Sequence, residues 1–447
     1  MPGLGQILVG SVASGGFLLA STIGAGTVAV ILARSTDRTQ LLEMVTDPDL
    51  ILMLIGINAL LGLIRLVAAT DAWRRAGGRA VGLGIGSLAL FTLIPHIGLG
   101  YVGLETRSTI LKVFPSEEVA AVPPTTTTTT TLVVLPLVPA WSLPVEPVVT
   151  TTTTTTLPLG TDRFTVLLMG GDAGPGRGGL RTDSMIVASV DTNSGDAALF
   201  SLPRNLAGLE FSDGTLFPGL GSGLLNEVYM WGQRNPEGFE GPDPGIAAVK
   251  DVAETLLGIP IEHYVLVDMV GFVELVDAMG GVTVTNPKSF PAPLYDSGTG
   301  EYEMITFEPG PQHLDGDLAL AYSRSRTGSS DYVRMGRQRC VMTALADQAS
   351  PLNLISRLPV LLNVMERRVK TDIPYNDLPY LINFASKVSS DRTTLVGFDL
   401  DYRSGEVTAL GLPTPDVPKI QSVVSQVING NWADGTIGLP PASEVCG

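Results

Sequence analysis

An arginine cluster is the part of this sequence that most directly suggests chemistry. Of the 15 arginines in residues 161–447, five fall between positions 324 and 339. They are Arg324, Arg326, Arg334, Arg337 and Arg339. Guanidinium groups bind phosphate oxygens bidentately, so the cluster predicts a cradle for an anion. A surface ion-pair network with Asp315, Asp317 and Asp331 explains the same arginines equally well.

Two aspartates lie in and just after a glycine-rich segment, residues 170–179. Asp172 ends a predicted strand and Asp183 begins the next, so the segment between them would fold both carboxylates to one rim. Two carboxylates at strand ends suit a hard cation such as Mg²⁺, which keeps positions for water and substrate phosphates. Aspartate at a strand end is also a common turn former, and that interpretation stays open.

The same glycine-rich segment matches a nucleotide-binding pattern only in form. Gly174, Gly176 and Gly179 satisfy G-x-G-x-x-G. A dinucleotide fingerprint must open a helix, whereas a strand is predicted to follow this segment. The chain also lacks the G-x-x-x-x-G-K-[ST] motif, so the pattern argues against a nucleotide site.

Composition excludes several classes of protein. The 447 residues carry a net charge of −16, which is the wrong field for a general nucleic-acid binder. Three histidines and two cysteines are too few for histidine-rich zinc sites, four-cysteine metal sites or iron–sulfur clusters. Only 16% of the residues are charged, against about 25% in typical soluble proteins. With a mean hydropathy of +0.30, this low share indicates that part of the chain lies in a membrane.

Residues 1–112 are predicted to form that membrane domain. Apolar stretches long enough to span a bilayer cover residues 7–33, 50–69 and 81–104. A cleaved signal peptide is a weaker account of the first stretch, because no basic segment precedes it and two more spans follow.

The loops between the spans predict the orientation. Arg74, Arg75 and Arg79 place the second loop in the cytoplasm by the positive-inside rule. The amino terminus is then cytoplasmic, and the chain after Leu104 emerges outside the plasma membrane.

A stalk and an external domain are predicted to follow. Residues 113–160 contain two runs of seven threonines, Thr125–Thr131 and Thr150–Thr156, around a proline-rich piece. Threonine and proline favour extended backbone and offer little surface to bury, which is typical of a stalk. The remaining residues, 161–447, hold 20 Lys and Arg and 35 Asp and Glu, so nearly all of the acidity is external.

The external domain reads as an intermixed series of strands and helices. This order indicates an α/β or three-layer α/β/α fold. Strands are predicted over residues 163–171, 184–191, 197–202, 264–267, 281–285 and 393–400. Helices are predicted over residues 245–257, 270–279, 315–323, 333–348, 352–369 and 376–389.

Both cysteines, Cys340 and Cys446, fall in the external domain. Disulfides persist outside the membrane, and two cysteines allow a single pairing. We therefore predict a Cys340–Cys446 disulfide, with two unpaired thiols as the alternative.

Seven segments within residues 163–390 together resemble the LytR–CpsA–Psr family of cell-wall glycopolymer ligases. In order, they are FTVLLMGGD, LRTDSMIVASVD, LFSLPRNL, LLNEVY, EHYVLVDMVGFVELVDAMGGVTV, LDGDLALAYSRSR and SDYVRMGRQRC. The resemblance implies a three-layer α/β/α domain with an apolar tunnel for a polyprenyl chain, followed here by an extension, residues 391–447. It also implies transfer of a glycopolymer from polyprenyl pyrophosphate to peptidoglycan, leaving a phosphodiester link.

The resemblance assigns roles to residues already singled out. Asp172 and Asp183 match the family's Mg²⁺-associated carboxylates, and one of the two would assist deprotonation of the acceptor hydroxyl. The implied catalytic set is Asp172, Asp183, Arg204, Arg324 and Arg326. The implied pyrophosphate-binding set is Arg181, Arg204, Arg324, Arg326, Arg334, Arg337 and Gln338.

Some matching residues have an equally simple structural explanation. Asn226, within LLNEVY, fits a helix N-cap as well as a site. Phe272, Leu275, Val276 and Met279 fit an ordinary helix core as well as a lipid tunnel.

Two features depart from the family pattern. Pro203-Arg204-Asn205 stands where the family usually has Pro-Arg-Asp, which removes a charge beside Arg204. Three predicted spans also stand in place of a single anchor.

The sequence thus predicts a membrane-anchored, Mg²⁺-dependent phosphotransferase. Its partners would be a polyprenyl-pyrophosphate-linked glycopolymer, a peptidoglycan acceptor and membrane lipid. The alternatives are a polyprenyl-pyrophosphate phosphatase and a non-catalytic lipid- or wall-binding module. No nucleic-acid partner is predicted, and no sequence feature identifies a protein partner.

Overall fold

The computed structural model describes residues 38–75, 83–115, 163–172, 180–295, 302–349, 351–398 and 400–429, with five single positions between 7 and 20. Most of the first predicted span, residues 116–160 of the predicted stalk, and Cys446 lie outside these residues. The helices in chain order are α1 (Arg38–Thr46), α2 (Pro48–Arg75), α3 (Leu83–Val113), α4 (Val228–Arg234), α5 (Pro244–Leu257), α6 (Met269–Ala278), α7 (Gly316–Arg324), α8 (Asp331–Gln348), α9 (Pro351–Arg368), α10 (Leu378–Ala385) and α11 (Val417–Ile428). The strands are β1 (Arg163–Gly171), β2 (Thr182–Asp191), β3 (Ala197–Ser201), β4 (His263–Asp268), β5 (Val282–Asn286), β6 (Phe290–Tyr295), β7 (Tyr302–Phe307), β8 (Gly310–Leu314), β9 (Val369–Thr371), β10 (Thr393–Gly397), β11 (Arg403–Val407) and β12 (Pro413–Pro415).

A mixed six-stranded sheet forms the centre of the domain, in the order β10-β3-β2-β1-β4-β9. β2 runs antiparallel to its neighbours β1 and β3, and β4 runs parallel to β1. The ends of β1, β3 and β4 therefore meet the start of β2 at one edge of the sheet. This edge gathers the residues that follow three strands and precede a fourth.

Helices cover both faces of the sheet, as the intermixed pattern predicts. On one face, α4, α5 and α11 pack on alternate residues of β1 to β3, with Leu167, Val187 and Phe200 fully buried. The other face packs against α9, α10 and the end of α3, through Val166, Ile186 and their neighbours. The alternation of buried residues between two apolar layers is what a central strand requires.

Two antiparallel strand pairs extend the domain beside the sheet. β5 pairs with β8 and β6 with β7, both antiparallel. Together with α6, α7 and α8 they enclose a separate apolar cluster around Tyr322 and Phe290. Sequence periodicity predicts β5 but not its partner β8 or the β6–β7 hairpin, because β6 reads Phe-Pro-Ala-Pro-Leu-Tyr and β8 is largely polar.

Two helices end earlier in the structure than the sequence predicts. The helix predicted at 352–369 ends at Arg368, and Val369 begins β9 on the edge of the sheet. The helix predicted at 376–389 shortens to α10, which a 3₁₀ turn at Tyr375–Asp377 precedes. β10 pairs with β3, so the segment after residue 390 supplies part of the central sheet.

The amino-terminal helices correspond to two of the predicted spans. The described residues include one helical segment long and apolar enough to cross a membrane, Pro48–Asp71 of α2. α3 covers the third predicted span, contains Pro95, and packs along α2. Asn58 of α2 and His96 of α3 join the two helices through a 2.7 Å side-chain contact. A three-span membrane domain stays a prediction.

Candidate active site

A cavity of about 320 Å³ lies between the sheet and helices α6, α7 and α8. Most of its wall is apolar: β1, β2 and β4 supply one side and the three helices the other. The apolar lining consists of Leu168, Met169, Ile186, Val265, Val267, Met269, Phe272, Leu275, Val276, Leu320, Val341, Met342 and Leu345. Phe272, Leu275 and Val276 line this cavity and also belong to the apolar core, whereas Met279 packs outside the cavity against the cluster of Ala278, Leu361 and Val364.

Charged and polar side chains line the cavity where it reaches the end of the sheet at which β1, β3 and β4 finish and β2 starts. Topology explains their convergence, because Asp172 follows β1, Asp183 lies at the start of β2, and Arg204 follows β3. Helices α7 and α8 bring further residues to the same edge. This polar end of the cavity consists of Asp172, Asp183, Ser184, Arg204, Asp268, Ser323, Arg324, Arg326, Arg334 and Gln338.

A partly buried charge network, in which Arg334 is the fully buried member, organises the polar end. The Arg204 guanidinium contacts Asp183 Oδ1 at 2.8 Å and Asp331 Oδ1 at 3.5 Å. Arg334 binds both carboxylate oxygens of Asp331 at 3.0 Å and donates to the Asp183 carbonyl, also at 3.0 Å. Asp331 therefore connects two arginines, as the ion-pair interpretation of the cluster predicts for Arg334. Arg204 thus has two carboxylate partners, although Asn205 beside it in sequence carries no charge.

Asp183 is held in its ionised form. Burial alone would raise the pKa of its carboxyl, but hydrogen bonds from Asn226 and Arg204 and the charges of Arg204 and Arg334 lower the pKa below its ordinary value. Asn226 Nδ2 donates to Asp183 Oδ1 at 3.1 Å. A fixed negative charge therefore faces the cavity at neutral pH.

Arg324 and Arg326 behave differently from the other arginines of the cluster. Both line the cavity with exposed side chains, and neither has a carboxylate partner among the described residues. Unpaired guanidinium groups at the rim of a cavity are positioned to bind an anion. The anion-cradle interpretation thus fits these two residues, whereas Arg204 and Arg334 combine cavity lining with ion pairing.

Two predicted pyrophosphate-binding residues do not line the cavity. The Arg337 guanidinium lies 3.5 Å from the centre of the Phe290 ring and donates to the Ser325 carbonyl at 2.8 Å, so it braces the loop after α7. The side chain of Arg181 is exposed beside the glycine-rich segment. Its backbone N–H donates to Asp172 Oδ1 at 3.1 Å, which orients that carboxylate. Gln338 does line the cavity and accepts from the Ser184 hydroxyl at 3.1 Å.

One site residue, Ser323, could not be identified from the sequence, and another, Asn226, had two explanations there. Asn226 is buried within a 3₁₀ turn whose N-cap is Leu224, so the N-cap explanation is wrong and the side chain serves Asp183 instead. Ser323 is buried against the cavity, and its hydroxyl has no hydrogen-bond partner among the described residues. The only sequence signal for Asn226 was the family-like segment LLNEVY. The only signal for Ser323 was its position before Arg324.

Replacing Asn226 with leucine should make any activity of this site more sensitive to acid. The change removes a donor to the Asp183 carboxylate, so the pKa of Asp183 rises towards its ordinary value. Because the native pKa is depressed, the Asp183 carboxylate stays ionised until the pH falls through that low value. In the variant, the carboxylate is protonated, and its contribution is lost, at a higher pH. A pH profile of kcat/KM should show its acidic limb moved to higher pH. At neutral pH, loss of the hydrogen bond to the carboxylate should lower kcat/KM by about tenfold. Asn235→Leu, at an exposed position, is the matched control, and an unmoved limb would contradict the assignment.

The donor set is compatible with a hard cation. Asp172 and Asp183 line the same polar end, and Asp183 is ionised. The described residues contain no group of three or more His, Cys, Asp or Glu side chains arranged for a metal. Two carboxylates are the number with which Mg²⁺ is commonly held when substrate phosphates complete its shell.

Cys340 lies on α8 and is disulfide-bonded. The chain has one other cysteine, Cys446, which lies outside the described residues. The pairing of these two cysteines accordingly stays a prediction.

Comparison with known proteins identifies the domain. A family model described as "LytR_cpsA_psr family" matches residues 145–416. The polyisoprenyl-teichoic acid–peptidoglycan teichoic acid transferase TagU of Enterococcus faecalis is 34% identical over 248 residues, which cover 53% of this chain and 72% of that protein. Biofilm regulatory protein A of Streptococcus mutans is 31% identical over 243 residues, covering 52% of this chain and 55% of that protein.

A solved structure is similar as well. The crystal structure of Bacillus subtilis TagV matches with 25% identity and a TM-score of 0.45, covering 59% of this chain and 96% of that one. The family match spans more than half of the sequence and includes every residue of the polar end. This chain therefore belongs to the LytR–CpsA–Psr family.

Proposed function

We propose that this protein is a membrane-anchored phosphotransferase that moves a glycopolymer from a polyprenyl-pyrophosphate carrier to peptidoglycan. The proposal rests on the two-part lining of the cavity. Its walls along the sheet are apolar, and its polar end holds two unpaired arginines, Arg324 and Arg326, and the ionised carboxylate of Asp183. Such a cavity complements an amphiphile with a long apolar tail and an anionic head. The names of relatives such as TagU support the same donor and acceptor classes.

The reaction needs charge neutralisation more than covalent help. An acceptor hydroxyl attacks the sugar-linked phosphorus, and the bond from that phosphorus to the bridging oxygen breaks. Polyprenyl phosphate leaves, the sugar keeps one phosphate as a phosphodiester, and the hydroxyl proton passes to a base or to solvent. Negative charge builds on the bridging oxygen, where Arg324 and Arg326 would stabilise it.

The two aspartates would have different duties. The lowered pKa of Asp183 makes it a weak proton acceptor, since a general base works best with a pKa near the operating pH. We therefore propose that Asp183 acts as an ionised ligand for Mg²⁺ and not as the general base. Asp172, at the same polar end, would be the second carboxylate ligand. The cation, when bound, would neutralise pyrophosphate oxygens.

Anchoring completes the proposal. α2 and α3 would cross the plasma membrane, with the predicted first span, so that the cavity lies on the external side. The loop helix α1 and the cavity-bearing domain are then on the same side of the membrane, and α1 packs against α9 and α10 of that domain.

The test uses the full chain in proteoliposomes with a short-chain polyprenyl-pyrophosphate glycan. We expect polyprenyl phosphate to be released only when a peptidoglycan fragment is supplied, and release to stop when EDTA removes Mg²⁺ and resume when Mg²⁺ is restored. Equal release without the acceptor would indicate a phosphatase. Retention of the donor without turnover at any metal concentration would indicate a binding module.

A further inference from the structure

We infer that the domain is docked directly on the external ends of its own membrane helices, and that the threonine-rich stalk is not what holds it at the membrane. The inference rests on the membrane insertion of α2 and α3 in the proposed function. It concerns the surface formed by the end of α3, α9 and the start of β1, which we call the docking surface.

The end of α3 is part of the apolar core of the domain. Ile110 is 0% exposed, and Val113 and Phe114 are also buried. These three side chains share one apolar cluster with Phe164 and Val166 of β1. Burial of apolar side chains of this size is a main source of stability in a protein contact.

Polar contacts fix the same junction. Glu366 of α9 accepts from Lys112 at 2.7 Å and from Thr109 at 3.3 Å. The backbone N–H of Tyr375 donates to the carbonyl of Pro115 at 3.1 Å. The exposed Lys112–Glu366 pair adds little strength in water, but it fixes the register of α3 on α9.

The loop before α2 makes a second attachment. α1 packs against α9 and α10, and its Leu42 is 3% exposed. Ile51, in the second turn of α2, is buried in the same apolar cluster as Ile110. The domain thus rests on both external ends of the α2–α3 hairpin.

Docking also sets the direction of the cavity. Phe164 near the start of β1 lies at the docking surface, and Asp172, which follows β1, lies at the polar end, about 25 Å further along at roughly 3.3 Å per residue. Cavity residues Leu168, Val265 and Met342 pack against the cluster that contains Ile51 and Ile110. The polar end of the cavity therefore lies toward the end of β1 that is further from the membrane helices. A prenyl tail would point back toward the bilayer.

The experiment cuts the stalk. A site for a sequence-specific protease is placed in the second threonine run, Thr150–Thr156, of the full chain with tags at both termini. After cleavage, membranes are sedimented and washed with 1 M NaCl, on the order of ten times the ionic strength that screens exposed pairs. We expect at least about nine-tenths of the carboxyl-terminal fragment in the pellet, because buried apolar contacts resist salt. Its immediate appearance in the supernatant would overturn the inference.

Two further proteins sharpen the outcome. Ile110→Asp should release the fragment after cleavage, whereas Leu111→Asp, at a neighbouring 38% exposed position, should not. Because Ile110→Asp also risks misfolding, the double variant Thr109→Cys with Glu366→Cys is cross-linked in intact membranes by a short bis-maleimide. Failure to cross-link would contradict the docking surface.

These readouts do not depend on turnover. An amino-terminal fragment missing from the membrane pellet would defeat the proposed anchoring. A retained and cross-linked domain without transferase activity would defeat the proposed reaction and leave the docking intact.

Discussion

Replacing Arg326 with alanine will lower the rate of glycopolymer transfer by about 100- to 1,000-fold, the usual cost of removing a donor aimed at developing charge. The Arg326 side chain is exposed and has no carboxylate partner among the described residues, so its charge is available to the substrate. For the same reason its loss should change the free energy of unfolding by no more than about 0.5 kcal/mol.

Steady-state transfer assays and thermal unfolding measure the two effects. Arg234→Ala is the matched control, because Arg234 is an exposed arginine outside the cavity. An Arg326→Ala protein with undiminished kcat/KM would refute the anion-binding role.

The second large effect should fall on stability. Asp331→Ala leaves Arg334, which is 5% exposed, without its bidentate partner and takes one carboxylate from Arg204. Removing one member of a buried ion pair strands the other charge, and we expect a loss of about 3–5 kcal/mol in the free energy of unfolding.

Chemical denaturation of the full chain in detergent, followed by a domain-specific signal, gives this value. Asp391→Ala, at an exposed aspartate, should stay within about 0.5 kcal/mol of the unsubstituted protein. A loss below about 1 kcal/mol at Asp331 would show that Arg334 finds another partner or reaches water.

The sheet was predictable where strands are apolar and continuous. β1, β2 and β3 consist of buried β-branched and aliphatic runs bounded by glycine or polar turns, and all three were expected from the sequence. β9 was missed because the periodicity of α9 continues into Val369. Its place as a strand comes from pairing with β4, a contact more than 100 residues away in sequence.

The candidate site was also predictable only in part. Local spacing predicts an arginine cluster, but it cannot tell which guanidinium groups stay free. Arg337 packs on the Phe290 ring, and Arg334 forms an ion pair with Asp331. Arg324 and Arg326 line the cavity without a carboxylate partner among the described residues. Asn226 serves a carboxylate 43 positions earlier, a relation that only the fold creates. Burial and long-range pairing decide these roles.

The fate of the sugar-linked phosphorus tests the proposed reaction most directly. The full chain in proteoliposomes is given a donor with ³²P at the sugar-linked phosphate and a peptidoglycan fragment. The proposed transfer puts the label into peptidoglycan as a phosphodiester and releases unlabelled polyprenyl phosphate. Label recovered as free sugar phosphate, or left wholly in the donor, would contradict it.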